Sequence, residues 1–194
     1  MTTTGGLEGM NGQSATDGPP GVLLSPVEWG DARSKVVAWH DPIVTASGGV
    51  GLTGLEFMRA IRDGTYPPAP MASLMGMRIR EVELGRVVFE CEPDESVYNP
   101  IGGVHGGVVC TMADSVIGCA VHTTLELGKV FTSIDLNVSY LRAVTKDSGV
   151  LRAIGTVTKP GRRVAFGSAE IIDASGKVVA SATGSCLVMD RPPA

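Results

Sequence analysis

Residues 105–125 read HGGVVCTMADSVIGCAVHTTL, and this stretch decides the fold. It is apolar on nearly every side at helical spacing, and Asp114 is its only charged residue. A helix that is apolar all round needs burial all round. The stretch is long enough to be mistaken for a membrane span, but it contains Asp114 and several glycines and has no basic cluster beside it. We therefore expect one long helix, over residues 106–125, buried in the core of a soluble protein.

The residues on both sides of this helix have the pattern of strands separated by turns. Residues 77–93 alternate polar and apolar positions and break at Leu84-Gly85, which predicts a hairpin. Residues 133–140 alternate without a fault. Three further strands are predicted at 149–159, 162–173 and 177–189. Because the last three are joined by short turns, the sheet is expected to be largely an antiparallel meander.

Rows of small residues in two predicted strands indicate what the sheet covers. Residues 165–169 and 180–184 place alanine or glycine at every second position. Small side chains let a helix axis approach a sheet closely. The sequence therefore predicts an α+β fold in which one long central helix is wrapped by a curved antiparallel sheet of five to six strands.

The first 70 residues have a different character. Residues 1–50 are rich in Gly, Ser, Thr and Pro without a sustained period, which predicts a flexible or partly docked N-terminal extension. They do not have the pattern of a secretory signal. A capping-box spacing at 53–56 predicts a short helix, so that 51–70 forms a short helix and a Pro-rich linker. The main domain is expected over 71–190.

Composition excludes several functional classes. The 194 residues are 43% hydrophobic and 19% charged with a net charge of -4, and the 16 Lys and Arg form no long run. This balance argues against a nucleic-acid partner. The four cysteines form no C-x-x-C pair, which predicts reduced thiols in the cytoplasm and neither disulfides nor a metal site. No phosphate-binding loop or dinucleotide fingerprint is present, and no cofactor is expected.

The start of the long helix has the features of an oxyanion site. Asn99 begins a glycine-containing loop, and His105-Gly106-Gly107 opens the helix. The amides of a first helical turn have no intrahelical acceptor and lie at the positive end of the helix dipole. Glycine there allows a substrate carbonyl to approach the backbone. The alternative is that the glycine pair only permits tight packing against the sheet.

Asp114 lies in the predicted helix about two turns after Gly106. It shares a helical face with Thr111, Ser115, Gly118 and His122, which is one pattern of a solvated stripe. A solvated face usually carries Lys, Glu or Arg, whereas this one has a single acid among small residues. The sequence therefore favours a carboxylate in a partly dry cleft, where it can act as a base or a nucleophile.

Together these residues resemble a known family. Residues 72–189 are similar to PaaI-type acyl-CoA thioesterases of the hotdog superfamily. The shared pattern is an asparagine, a glycine-containing loop, His-Gly-Gly, and an acid eight residues after the first glycine of the pair. In this chain the pattern is formed by Asn99, His105, Gly106, Gly107 and Asp114.

The resemblance implies a mechanism. The Gly106 amide polarises the thioester carbonyl, while Asp114 of the neighbouring subunit acts as general base for water or as nucleophile through a mixed anhydride. Asn99 and His105 orient the carbonyl or the thiolate leaving group, and Ser133 matches a position that helps to place the attacking water. On the local pattern alone, His105 can equally be a residue that caps the helix. Ser133 can equally be a polar residue at the start of a strand.

The resemblance also implies partners. Coenzyme A carries phosphates, for which Gly161, Arg162 and Arg163 in one hairpin and Arg142 are the candidate binding residues; a charged hairpin that only protects a turn is the alternative. Because the two halves of the site come from different subunits, the family implies a homodimer at minimum and usually a homotetramer. No nucleic-acid or membrane partner is expected.

Two other functions stay open at this point. One is a non-catalytic hotdog module that binds acyl-CoA, and the other is a hotdog hydratase or dehydratase. The acyl-chain preference is not readable from the sequence. The candidate wall residues of an acyl pocket are Tyr98, Met112, Tyr140 and Phe166.

Overall fold

A computed structural model describes residues 26–192 of the chain. The chain divides into two compact units between Val36 and Val37. In the described part of the first unit there is one turn of 3₁₀ helix, Pro26–Trp29. All the α-helices and strands described below belong to the second unit. The part of the predicted extension before residue 26 lies outside the described residues.

The second unit contains four α-helices and six strands within the described range. The helices are α1 (Pro42–Gly48), α2 (Gly54–Arg62), α3 (Pro70–Met75) and α4 (Gly106–Thr123). The strands are β1 (Met77–Glu83), β2 (Arg86–Cys91), β3 (Lys129–Tyr140), β4 (Leu151–Lys159), β5 (Val164–Ile172) and β6 (Val178–Asp190).

The six strands form one antiparallel sheet with the order β1-β2-β4-β5-β6-β3. The structure confirms the predicted long helix and the antiparallel sheet. The sheet has six strands, the upper number of the five to six predicted. The neighbour of β3 was not predicted: it pairs with the last strand, from Lys129 opposite Asp190 to Tyr140 opposite Ala180, rather than with β4. As a result, β1 and β3 are the two edge strands of the sheet.

Helix α4 supplies the centre of the core. Met112, Val116 and Ala120 have no exposed surface, and the helix contacts every strand of the sheet. It is the one described helix long and apolar enough to cross a membrane, and 56% of it is buried inside the protein. The small residues of the strands allow this close packing: a Cβ added at Gly167 would lie 2.9 Å from Ile117 Cγ2, and one at Gly155 would lie 2.2 Å from the Val116 carbonyl oxygen.

The segment before β1 contains more helix than the sequence pattern predicted. Helix α2 begins with the predicted capping box, in which the Thr53 side chain accepts from the Glu56 amide and the Glu56 carboxylate accepts from the Thr53 amide. Helices α1 and α3, of seven and six residues, were not predicted, since each is too short to show a period. Both begin with a proline, which suits the first turn because its missing N–H has no acceptor there.

Candidate active site

Helix α4 begins in the way that the His-Gly-Gly sequence predicts. The His105 Nδ1 atom accepts a hydrogen bond from the Gly107 amide at 2.9 Å, so His105 caps the helix. Because Nδ1 is the acceptor, a neutral ring carries its proton on Nε2 and can donate it outward. Within the described chain the Gly106 amide has no acceptor, and it stands at the positive end of the helix dipole.

The Tyr140 ring lies against this glycine. A Cβ added at Gly106 would lie 3.1 Å from the Tyr140 ring, and the Tyr140 hydroxyl donates to the Gly106 carbonyl at 3.1 Å. The same hydroxyl is 2.9 Å from Cys110 Sγ. Glycine at position 106 therefore allows Tyr140 of β3 to approach the first turn of α4 closely.

Asn99 organises the loop in front of the helix. Its Oδ1 atom accepts from the Ile101 amide at 3.1 Å and from the Gly103 amide at 3.2 Å. The backbone amide of Asn99 donates to the Gly103 carbonyl at 2.8 Å. The loop reverses at Gly102, whose φ of 83° suits glycine. Since the Oδ1 atom is used within the loop, the Nδ2 group is the part of Asn99 that can reach a ligand.

Asp114 and Ser133 are brought together from different elements. The Ser133 hydroxyl, on β3, donates to Asp114 Oδ1 at 2.6 Å. The register of β3 against β6 shifts between Ser133 and Asp135. In the single chain Asp114 is exposed, so the predicted partly dry cleft is not formed by one chain alone. Any drying of this carboxylate has to come from a bound substrate or a second copy.

Both side chains line an apolar cavity of about 570 Å³. Its walls come from all four helices and from β1, β2 and β3, and they include Phe57, Phe89 and Phe131. None of the four wall residues expected from the sequence, Tyr98, Met112, Tyr140 and Phe166, lines this cavity. Met112 is packed inside the core, and Phe166 and Tyr140 are exposed. The walls of this cavity come from seven separate elements, which a local sequence pattern does not bring together.

The face of α4 that suggested a solvated stripe is the floor of the cavity. Asp114, Ser115, Gly118 and His122 all line it. Cys119 lines it as well, and burial, helped by the Asp114 charge, raises the pKa of that thiol to about 12. This thiol therefore stays protonated and is not a nucleophile.

The candidate coenzyme A residues lie in two places. Arg142 follows β3 and donates to the Val178 carbonyl at 2.6 Å. Gly161, Arg162 and Arg163 border a depression that also includes Thr124, just beyond the C-terminal end of α4. Along α4 that end is about 25 Å from Gly106, at 1.5 Å per residue. One chain alone does not bring Arg162 and Arg163 to the start of the helix, and their role stays a prediction.

His122 makes the stability of the protein sensitive to acid. Burial, with a smaller contribution from Arg191, lowers its pKa to about 4 from the ordinary value of 6.5. Between these values the unfolded chain binds a proton that the folded chain does not, so stability decreases as the pH falls through this window. We expect the free energy of unfolding to fall by up to about 3 kcal/mol more in the wild type than in His122→Phe between pH 7 and pH 4. Urea denaturation of both proteins across this range measures the difference, and parallel pH curves would contradict it.

Comparisons with known proteins agree with this fold. The family model described as thioesterase superfamily matches residues 101–180. Human acyl-coenzyme A thioesterase 13 is 31% identical over 97 residues, which is 50% of this chain and 68% of that protein. The 1,4-dihydroxy-2-naphthoyl-CoA hydrolase of Listeria monocytogenes is 25% identical over 105 residues, covering 54% of this chain and 84% of that one.

A solved structure extends the similarity to three dimensions. A phenylacetic acid degradation-related protein from Ralstonia eutropha is 31% identical, with a TM-score of 0.62. The match covers 67% of this chain and 98% of the other.

Proposed function

This chain belongs to the thioesterase superfamily and hydrolyses acyl-CoA thioesters, and we propose that Gly106 and Asp114 carry that reaction. The predicted resemblance to PaaI-type thioesterases is thereby confirmed. One observation supports the assignment of the residues most strongly. The Asp114 carboxylate, held by the Ser133 hydroxyl at 2.6 Å, lies in the wall of an apolar cavity large enough for an acyl group.

The proposed reaction proceeds by attack on the thioester carbonyl. The carbonyl oxygen accepts from the Gly106 amide, and the positive end of the α4 dipole stabilises the charge that develops on it. Asp114 takes a proton from water, the water oxygen bonds to the carbonyl carbon, and the carbon–sulfur bond breaks. The thiolate of coenzyme A leaves and receives the proton. In the second route Asp114 attacks the carbonyl carbon directly, the carbon–sulfur bond breaks, and water then hydrolyses the mixed anhydride to the free acid and restores Asp114.

The distance between the two groups supports a site shared by two copies of the chain. Gly106 and Asp114 are eight residues apart on one helix, or about 12 Å along its axis. This is too far for one carboxylate to act on a carbonyl held at Gly106 of the same chain. The free edge of β3 carries the exposed side chains of Ile134 and Tyr140, and such an edge favours pairing with a second sheet. We therefore propose a homodimer at minimum, with a homotetramer as the expected assembly.

A two-fold arrangement also accounts for the cationic hairpin. Two α4 helices related by a two-fold axis across their length run antiparallel, so the C-terminal end of one lies toward the N-terminal end of the other. Arg162 and Arg163 of one copy then approach the Gly106 end of the other, where the phosphates of coenzyme A need cations. We place the protein in the cytoplasm, where its four free cysteines stay reduced.

Release of free thiol from acyl-CoA esters tests the proposed function. The panel contains short, medium, long and aromatic acyl groups, and the oligomeric state is measured at the assay concentration. Hydrolysis that follows enzyme concentration and depends on assembly supports the proposal. Binding of acyl-CoA without thiol release would indicate a non-catalytic module instead.

Ser133 gives a more specific expectation. We expect Ser133→Ala to lower kcat/KM about tenfold, since the variant loses a hydrogen bond to a charged group. Ser133→Thr keeps the hydroxyl and is expected to retain most of the activity. Steady-state kinetics of the three proteins measure the effect, and equal activity of Ser133→Ala and wild type would leave Ser133 as a polar residue at a strand edge.

A further inference from the structure

His122 is the polar side chain on α4 farthest from Asp114 along the floor of the cavity. It lies eight residues beyond Asp114 on the same helical face. Its ring is packed edge-on between Phe57 of α2, at 5.5 Å between centroids, and Phe131 of β3, at 5.4 Å. The backbone of α2 approaches closely, because a Cβ at Gly54 would lie 2.9 Å from His122 Cδ2. The position of the imidazole is therefore held from three sides.

The imidazole nitrogens of His122 have no hydrogen-bond partner within residues 26–192. The lowered pKa keeps the ring neutral at physiological pH, so it offers one N–H donor and one nitrogen acceptor. His122 is half-buried and lines the cavity, so a ligand in the cavity can supply a hydrogen-bond partner to these nitrogens.

The cavity is therefore lined by two separate polar groups, the Asp114 carboxylate and the hydrogen-bonding imidazole of His122. Between them along α4 the cavity is lined by Ser115, Gly118 and Cys119, and phenylalanine rings form much of the facing wall. An acyl group whose carbonyl lies near Asp114 has apolar walls along its length and a polar group at its end. A pocket that binds unsubstituted alkyl chains needs no polar atom at its far end. The arrangement of polar and apolar groups in this cavity is different.

We propose that His122 is a specificity-determining residue that binds a hydroxyl or keto oxygen at the far end of the acyl group. The proposal rests on the assignment of Asp114 as the reacting carboxylate. The preferred substrates are then acyl-CoA thioesters with an apolar middle and a polar terminus.

The spacing sets the length of such an acyl group. Asp114 and His122 are about 12 Å apart along the helix axis. An extended chain advances about 1.2 Å per bond. Allowing about 3 Å for contact at one or both ends leaves room for between about five and eight bonds. Chains of six, eight and ten carbons cover this range.

Matched pairs of substrates test the proposal. The kcat/KM values of the 6-, 8- and 10-carbon ω-hydroxyacyl-CoA esters are divided by those of the plain acyl-CoA esters of equal length. The ratio removes any general effect of a variant on catalysis. His122→Phe keeps the ring packing and loses both nitrogens, whereas His122→Gln keeps a donor and an acceptor. His40→Phe is the matched control, because His40 is exposed and lies outside the cavity.

We expect the wild-type ratio to peak at one chain length, to exceed the His122→Phe ratio by about tenfold there, and to be partly kept by His122→Gln. His40→Phe is expected to behave as wild type. A wild-type ratio near one at every length, or a ratio unchanged in His122→Phe, would overturn the proposal while leaving the thioesterase assignment intact.

A binding measurement separates failure of this inference from failure of the proposed function. The probes are the non-hydrolysable thioethers S-(8-hydroxyoctyl)-CoA and S-octyl-CoA, titrated calorimetrically into wild type and His122→Phe. If the Kd ratio of the two probes changes about tenfold between the proteins, His122 binds the hydroxyl even if no thioester is hydrolysed. If the ratio is the same in both, the role of His122 is structural.

Discussion

Asp114→Asn is expected to lower kcat/KM for acyl-CoA hydrolysis by about 100-fold or more, the scale of losing a general base or nucleophile. The amide nearly matches the carboxylate in shape and can still accept the Ser133 hydroxyl, so the local packing is kept. It can neither remove a proton from water nor attack a carbonyl. Thiol release under steady-state conditions measures the loss, with circular dichroism and the oligomeric state compared between variant and wild type.

A second acid provides the control for this variant. Asp147 is exposed and lies in the turn before β4, away from the cavity, so Asp147→Asn removes one negative charge without changing the site. We expect its activity to equal that of the wild type. Loss of activity in both variants would point to an effect of net charge, and full activity of Asp114→Asn would remove Asp114 from the mechanism.

Gly155→Ala is expected to destabilise the fold by about 3 kcal/mol, which is large for the addition of a single methyl group. The new Cβ would lie 2.2 Å from the Val116 carbonyl oxygen and 2.4 Å from its carbon. These are backbone atoms of the buried helix α4, so neither can move aside in the way that a flexible side chain can. Either α4 shifts or β4 bends, and both changes disturb the core.

Thermal or urea unfolding measures this effect. A loss of 3 kcal/mol corresponds to a decrease in Tm of about 6 to 12 °C for a chain of this size. Thr156→Val is the control, because Thr156 is the next residue of β4, is exposed, and points to the opposite face of the sheet. Unchanged stability of Gly155→Ala would mean that helix and sheet are not in close contact at this position.

Helix α4 could be predicted from sequence because its apolar character is local information. The prediction of 106–125 differs from the observed Gly106–Thr123 by two residues, since Thr124 caps the C-terminal end. The pairing of β3 with β6 could not be predicted in the same way. Alternation shows that a segment is a strand, but the choice of neighbour depends on how the sheet wraps around the helix.

The candidate site likewise contains some residues that could be predicted from the sequence and others that only the fold brings together. His105, Gly106 and Asp114 follow one another within a single helix and its cap, so their spacing was visible in the sequence. Phe57 and Phe131 come from segments more than 70 residues apart, and both pack against the ring of His122. A signal for that residue did exist, because His122 shares the helical face of Asp114. The sequence pattern favoured a partly dry cleft over a solvated stripe on that face, and the structure shows a cavity there.

The position of β3 has a consequence for synthesis of the protein on the ribosome. The chain makes the central helix and then β3, but the partner of β3 is the last strand, and Lys129 pairs with Asp190 across 61 residues. Local hairpins such as β1–β2 can close early, whereas this pairing has to wait for the end of the chain. Until β6 emerges, one flank of a very apolar helix has no cover. We expect nascent chains that stop before β6 to be those most in need of a chaperone.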